Sequence, residues 1–211
     1  MKPDQEIFPT VYRDKFGVEK TEIRNDGRTL RLLLRGVEFN GSSFDDFEPA
    51  EASAEGFSTN QGSLCSYRLE CWMPVLLVKD GKEETARLEA VIEVGDPAPN
   101  GGVDRETVQL TLVSGDLHIS SMGKTGWFDD ALVEIEGSLP GSAYLRCCHT
   151  CLYSEYFPGG TGAFGGLTCF RKHDAEFLSA KDKPALLQVF EKNNTLVQET
   201  YCCGDFKRLE K

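Results

Sequence analysis

Six of the eight cysteines of this 211-residue chain fall within one stretch of 57 residues in its last third. Their positions are Cys147, Cys148, Cys151, Cys169, Cys202 and Cys203. Two cysteines separated by two residues can hold one metal ion from a single tight turn, and thiolates are ligands that zinc accepts in tetrahedral sites. Residue type and spacing therefore predict a chemical site in this stretch.

The spacing Cys148-x2-Cys151 predicts a metal knuckle. Cys169 follows after 17 intervening residues and Cys203 after 33 more, and these two complete a set of four thiolates. We expect the set to hold structural Zn²⁺ and to fasten the C-terminal tail to the knuckle. Four thiolates close the coordination shell, so the metal would support local folding and leave no position for a substrate.

Alternatives to this ligand set remain open. Cys147 or Cys202 can replace its neighbour, because only one member of each adjacent pair points easily at a given metal, and His149 can also act as a ligand. An iron–sulfur cluster, disulfides or ordinary buried thiols would also account for the cysteines. Cys65 and Cys71 lie six apart on one predicted strand face, too far apart to pair, and are expected in the core.

The elements before the cysteines are predicted to be strands. Alternating apolar and polar residues over the first 115 positions are typical of β structure with one buried face. Asn25-Asp26-Gly27 predicts a hairpin turn, and the residues after it predict one continuous strand from Leu30 to Gly41. Pro74 is expected to interrupt a strand over 64–78 or to lie at a sheet edge.

Helices are predicted around the cysteines. Phe128, Leu132 and Ile135 share one helical face, and Gly137 ends that helix. A second helix is expected over 175–178 or 183–192, stopped by Asn193-Asn194.

The order of these elements predicts an α+β fold. We expect an antiparallel β sheet or sandwich, followed by a helical, cysteine-rich zinc-knuckle region. The predicted division is an acidic β-rich domain over 1–125 and a C-terminal region over 126–211, packed as one unit.

Composition narrows the classes of function. Residues 1–140 hold 14 Lys and Arg against 26 Asp and Glu, a balance of −12, which argues against nucleic-acid binding because phosphate contact needs a basic surface. No apolar stretch is long enough to span a membrane, and the first residues lack the basic start and apolar core of a signal peptide. We therefore expect a cytoplasmic protein without a membrane partner, in which clustered thiols stay reduced.

Five motifs after residue 125 extend the pattern beyond the cysteines. They are Gly126-Trp127-Phe128-Asp129-Asp130-Ala131-Leu132, Cys148-x2-Cys151-x2-Ser154-x-Tyr156, Phe164-Gly165, Cys169-Phe170-Arg171 and Val197-Gln198-Glu199-Thr200-x2-Cys203-x2-Phe206. Together with Leu34-Arg35-Gly36-Val37-Glu38-Phe39 and Asp104-Arg105-Glu106, this pattern resembles an uncharacterised bacterial family, a domain of unknown function. The resemblance covers nearly the whole chain. It implies that Cys148, Cys151, Cys169 and Cys203 are the recurring cysteines, and it implies no activity.

Motifs for catalysis are missing from the sequence. The three histidines are scattered, no Gly-x-Ser-x-Gly elbow occurs, and the glycines at 159–166 do not precede Lys-Ser or Lys-Thr, so we expect them to form a surface loop. Gln198-Glu199-Thr200 is an unusual polar cluster that either is functional itself or, more modestly, orders the fourth cysteine through hydrogen bonds. The sequence favours a non-catalytic zinc protein that binds a protein partner. The alternative is a metal- or thiol-dependent enzyme with a site beside the knuckle, using Cys147, Cys202, His149 or Glu199.

Overall fold

The computed structural model describes residues 6–51, 54–99, 101–157, 162–193 and 195–209. In chain order its strands are β1 (Glu6–Asp14), β2 (Gly17–Asn25), β3 (Leu30–Leu34), β4 (Val37–Gly41), β5 (Glu48–Pro49), β6 (Thr59–Asn60), β7 (Ser63–Leu64), β8 (Tyr67–Lys79), β9 (Lys82–Val94), β10 (Glu106–Ser114), β11 (Leu117–Ser120), β12 (Tyr144–Leu145), β13 (Ser154–Tyr156), β14 (Leu167–Cys169) and β15 (Leu196–Val197). The helices are α1 (Phe128–Gly137), α2 (Asp174–Ser179) and α3 (Lys183–Lys192).

Ten of these strands form one antiparallel sheet. Its order is β11-β10-β9-β8-β1-β2-β3-β4-β5, and β12 pairs with β8. The predicted antiparallel sheet is confirmed, and its strands join one sheet in place of the two sheets of a sandwich. Two smaller sheets are β6-β7 and β13-β14-β15.

One face of the large sheet carries the core. Leu69 of β8 pairs with Ile92 of β9, and Met73 pairs with Leu88, and all four side chains are buried. Successive side chains of a strand point to opposite faces, so this register places every second residue in the core.

The prediction of one strand from Leu30 to Gly41 is wrong. The chain reverses at Arg35 and Gly36, whose φ angles are 48° and 82°, and β3 pairs with β4 as a hairpin. Two central residues with positive φ define the tight turn whose twist matches paired strands. The buried residues of β3 have even numbers, whereas the buried residue of β4, Phe39, has an odd number. This change of parity was the sequence signal for the turn.

Pro74 lies inside β8 without interrupting it. Strand β1 pairs with β8 over residues 67–71 and β12 pairs with it at residues 77–78, so Pro74 falls between the two partners. A proline has no N–H to donate to a neighbour, and a local gap in the pairing on one side is where it is tolerated.

Helix α1 covers the core as its apolar stripe predicts. Phe128, Leu132 and Ile135 are buried, and α1 packs beside β10 and β11. Both alternatives for the second helix occur, as α2 and α3. Asp182 caps α3 by accepting from the Ala185 N–H at 2.9 Å, and the helix ends before Asn193, whereas Asn194 lies outside the described residues.

The C-terminal segment, defined here as residues 162–209, contributes to two separate cores. Phe164 joins the sheet core, with its ring centroid 4.7 Å from that of Phe44 and 5.0 Å from that of Phe128. Phe170, Val189 and Phe190 form a second, smaller core. The predicted boundary at residue 125 stays a prediction. Helix α1, which follows that boundary, shares the core of the sheet. Within the described ranges, no helix is long and apolar enough to cross a membrane.

Candidate metal centre

Where a metal knuckle is predicted from Cys148 and Cys151, the chain forms a 3₁₀ turn over Cys148–Thr150, and this turn is called the knuckle below. The Cys151 N–H donates to the Cys148 carbonyl at 3.1 Å, and the Ser154 hydroxyl donates to the same carbonyl at 2.5 Å. The Thr150 hydroxyl donates to the Leu145 carbonyl, also at 2.5 Å. These bonds hold both cysteines on one tight turn, where each side chain is buried.

The third predicted ligand, Cys169, stands beside this turn. Strand β14 pairs with β13 so that Cys169 lies opposite Ser154, three residues after Cys151. Its N–H donates to the Thr195 carbonyl at 2.9 Å, and its carbonyl accepts from the Asn193 side chain at 2.7 Å. Both the N–H and the carbonyl of the Cys169 backbone therefore have hydrogen-bond partners.

The tail that carries Cys203 passes the knuckle twice. Before Cys203, the Cys148 N–H donates to the Tyr201 carbonyl at 2.6 Å. After it, the Leu152 N–H donates to the Lys207 carbonyl at 2.7 Å, and Cys151 forms a β-bridge with Arg208. Cys203 lies on the return between these two contacts, so the backbone topology brings all four predicted positions to the same end of the molecule.

Electrostatic interactions link Cys148 to four other cysteines of the cluster. Burial raises the pKa of Cys148, and negative charge on Cys147, Cys151, Cys203 and Cys169 would raise it further. Cys203 Sγ accepts a hydrogen bond from the Arg171 guanidinium. Among the residues that the structure describes, no three or more His, Cys, Asp or Glu side chains are already arranged to hold a metal ion. The four thiols are neighbours without forming a closed ligand set.

The neighbouring cysteines have different surroundings. Cys147 is fully buried in the sheet core, and burial raises the pKa of its thiol to about 12. Cys202 is half-buried, and its thiol donates to the Cys203 carbonyl. Cys65 and Cys71 lie in the sheet core, which confirms their expected packing role.

Glu199 is a buried carboxylate. It accepts hydrogen bonds from the N–H groups of Gly165 at 2.7 Å and Gly166 at 3.1 Å, and the Tyr156 hydroxyl lies 3.4 Å away. Burial raises its pKa to about 7, although these hydrogen bonds act in the opposite direction. A Cβ at Gly165 would lie 2.7 Å from the Ser42 carbonyl, so the glycine loop packs closely against the sheet. Gly159 and Gly160 of the predicted surface loop lie outside the described residues.

Gln198 is the second buried polar side chain of the tail. Its amide exchanges two hydrogen bonds with the Asn25 amide, at 2.7 and 2.8 Å. The polar cluster noted in the sequence thus ties the tail to β2 and to the glycine loop. No sequence signal identified Asn25 as its partner, because 173 residues separate the two.

A groove lies beside the knuckle, between α1 and the end of the tail. Its volume is about 610 Å³, and its lining includes Val133, Tyr144, His149 and Arg208. His149 Nδ1 is 3.3 Å from the Tyr156 hydroxyl. Of the four residues named for an enzyme, His149 is the one that lines this groove within the described part of the chain. His118 is exposed on β11 and His173 ends a separate 3₁₀ turn, so the histidines do not gather.

Two pairs of adjacent carboxylates, Asp45-Asp46 and Asp129-Asp130, behave as structural or surface groups. Asp129 and Asp130 occupy the first turn of α1, where negative charge is favourable. Asp46 accepts from the backbone N–H groups of Ser42 and Ser43.

These features define an α+β protein with one large antiparallel sheet and a thiol-rich C-terminal segment folded against it. Residues 6–154 match DUF6304, a family of unknown function, and the chain belongs to this family. The match includes Cys148 and Cys151, whereas Cys169 and Cys203 lie beyond it. No curated protein and no solved structure matches the chain.

Proposed function

We propose that this chain is a non-catalytic zinc protein of the cytoplasm. Cys148, Cys151, Cys169 and Cys203 would hold one structural Zn²⁺, and the locked tail would stabilise the surface that a protein partner recognises. The supporting observation is the double passage of the tail beside the knuckle, because it brings the segment of Cys203 to the turn of Cys148 and Cys151. The pairing of β13 with β14 adds Cys169 from a third segment. Rotation about χ1 moves a cysteine Sγ between staggered positions without moving the backbone, so the ligand set can form from this arrangement.

The size of the second core supports a metal cross-link. Phe170, Val189 and Phe190 are its buried apolar side chains, with Phe177 and Leu186 packed against them. Small units with little apolar burial are usually stabilised by a disulfide or a metal. In a reducing compartment a thiolate-bound zinc would supply that stabilisation.

The buried Arg171 Nε also supports a thiolate site. In the part of the chain that the structure describes it has no hydrogen-bond acceptor, although Arg171 Nη2 reaches Cys203 Sγ. Thiolates held on a metal would offer acceptors in this position, since metal ligands commonly receive hydrogen bonds from surrounding groups.

Metal analysis of the purified full-length protein tests the proposal. We expect about one zinc per chain, and we expect Cys169→Ser to lose most of it. Cys202→Ser is the matched control, because Cys202 lies next to Cys203 and should keep the metal. A wild-type protein that folds fully without metal would disprove the zinc site.

The partner surface would lie on the acidic sheet. The formal charge of −12 over residues 1–140 favours a partner with a basic surface, through electrostatic steering. Association measured against salt should weaken as ionic strength rises, since screening shortens the range of this attraction. A captured partner whose affinity is independent of salt would contradict this part of the proposal.

An enzyme is the second candidate, and the groove beside His149 is the observation that favours it. A catalytic metal needs an open position, so an enzyme requires three protein ligands in place of four. Cys203→Ser separates the two candidates. The structural site should lose affinity when Cys203 is removed, whereas a site with three other ligands should keep its zinc.

A further inference from the structure

Arg171 lies where two distant parts of the thiol cluster meet. It follows Cys169 by two residues and begins a 3₁₀ turn over Arg171–His173. Its Nη2 donates to Cys203 Sγ, and its Nη1 donates to Asp205 Oδ2 at 2.5 Å. The guanidinium therefore connects β14 to the tail through a sulfur.

The guanidinium of Arg171 bonds one sulfur and one carboxylate of the tail, Cys203 Sγ and Asp205 Oδ2. Its side chain is 30% exposed, so water screens these interactions only in part. Among the described residues the buried Nε–H has no acceptor, so this donor is available to bond a thiolate.

Other arginines of the region are engaged elsewhere. Arg146 forms an ion pair with Glu83 at 2.8 Å, and Arg208 stacks 4.0 Å from the centroid of the Tyr144 ring. Of these three arginines, Arg171 is the one whose guanidinium donates a hydrogen bond to a predicted zinc ligand.

A closed zinc tetrathiolate gives such an arginine a role. Four thiolates around Zn²⁺ carry a net charge of −2, and hydrogen bonds to the sulfurs spread that charge and fix the ligand orientation. A guanidinium suits this task because it is always charged, weakly hydrated and able to donate to two acceptors at once. Loss of such an outer partner typically costs about 10- to 100-fold in metal affinity or activity.

We propose that Arg171 is a positioning residue of the thiolate site: it holds Cys203 against the turn that follows Cys169, offsets part of the negative charge of the thiolates, and makes the bound sulfurs less reactive toward electrophiles. This inference rests on the zinc site proposed above. It gives the Cys169-Phe170-Arg171 motif a chemical role. Cys169 would bind the metal, and Arg171 would make the metal-bound sulfurs less reactive.

The test uses the full-length, zinc-loaded chain and compares Arg171→Ala, Arg171→Lys and the control Lys172→Ala, which removes a neighbouring exposed charge. Zinc release during alkylation by iodoacetamide is followed with a chelating dye. We expect release about 10- to 100-fold faster in Arg171→Ala than in wild type. Arg171→Lys should restore part of the protection, because it keeps the charge without the fork, and Lys172→Ala should match wild type.

A spectroscopic measurement separates this role from simple packing. In the cobalt-substituted protein, the sulfur-to-cobalt charge-transfer band should move to longer wavelength in Arg171→Ala, because the sulfur electrons lose a hydrogen bond. Asp205→Asn provides a milder variant if Arg171→Ala does not fold, and it should show a smaller change in the same direction.

The outcomes distinguish the two proposals. Zinc-loaded variants of Arg171 and Asp205 that release metal at the wild-type rate, with an unshifted cobalt band, would overturn the role of Arg171 while the zinc site stands. A wild-type chain that binds neither zinc nor cobalt would overturn the zinc site and this inference together.

Discussion

The large sheet buries apolar side chains along whole strands, whereas the C-terminal segment buries few. Strand β8 alone contributes Leu69, Met73 and Leu77 to the sheet core, and α1 and Phe164 close it. The core that the C-terminal segment forms by itself contains Phe170, Val189 and Phe190. A buried side chain of this kind contributes about 1.5–3 kcal/mol, whereas ordering each backbone residue costs about 1–2 kcal/mol. The segment therefore depends on the sheet and on cross-links.

Those cross-links are polar or aromatic. Glu199 bonds the glycine loop and Gln198 bonds β2. Lys207 lies 5.4 Å from the centroid of the Tyr153 ring, and Arg146 lies 5.5 Å from that of Phe206. The sheet should therefore respond to lost packing, and the C-terminal segment to lost charge or hydrogen bonds and, under the proposed zinc site, to lost metal.

The largest expected contrast follows metal removal. A structural zinc in a small peptide contributes about 10–16 kcal/mol of binding free energy, and much of it is folding free energy. Chelation should therefore remove amide protection from the C-terminal segment and from the knuckle while β8 and β9 stay protected. Hydrogen exchange read by mass spectrometry measures this, and equal loss in both regions would contradict the comparison.

Two phenylalanine substitutions form a matched pair. Phe164→Ala and Phe170→Ala each remove a buried ring, a change that costs about 3–5 kcal/mol. We expect Phe164→Ala to lower the free energy of global unfolding, because its ring packs between Phe44 and Phe128. Phe170→Ala should lower the protection of α2 and α3 only. Denaturant unfolding together with hydrogen exchange distinguishes them, and the same global loss in both variants would refute two separate cores.

A pH effect should come from Glu199. Its pKa is about 7 in the folded protein and near the ordinary 4.5 in the unfolded chain, so the folded state binds the extra proton between these values. This contribution stabilises the protein at low pH and is lost as pH rises toward and through 7, a change on the order of 3 kcal/mol.

Glu199→Gln isolates this effect. The unfolding free energy of the variant minus that of wild type should rise from pH 5 to pH 8, because the titrating carboxyl is gone and thiol titration cancels in the difference. Glu191→Gln, on the exposed face of α3, is the control. A difference that does not vary with pH would show that Glu199 does not titrate in this range.

The smallest effect concerns the amide pair of Asn25 and Gln198. Gln198→Ala should cost about 1–3 kcal/mol, because it leaves buried groups of Asn25 without their partner. A double-mutant cycle with Asn25→Ala should give a coupling energy of about 0.5–3 kcal/mol. Denaturant unfolding measures all four proteins. Additive losses would mean that the two amides stabilise the fold independently.

Features encoded locally were predictable. The stripe of Phe128, Leu132 and Ile135 identified α1, and Asn25-Asp26-Gly27 identified a turn. The turn at Arg35 and Gly36 was missed because apolar residues resume at Val37 directly after it, so the two strands read as one despite the change of parity. Pro74 was tolerated inside β8 because two partners leave a gap there, which local sequence does not reveal.

The candidate site also has a part that local sequence predicted and a part that it did not. The spacing of Cys148 and Cys151 predicted a tight turn, and that turn exists. Arg171, Asn25 and Tyr156 were not identified as neighbours of the cluster or its tail, because each reaches its partner through the path of the tail and the small sheet. Contacts between distant segments depend on packing that no single window of sequence contains.

The sequence by itself determined the sheet face, the helix stripe and the knuckle spacing, because each follows from periodicity or from a turn of a few residues. Only the tertiary structure decided that the tail passes the knuckle twice, that Glu199 is buried against Gly165 and Gly166, and that a guanidinium bonds a cysteine sulfur. The physical reason is that these contacts join segments separated by tens of residues. Their geometry exists only after the sheet has folded and the C-terminal segment has packed against it.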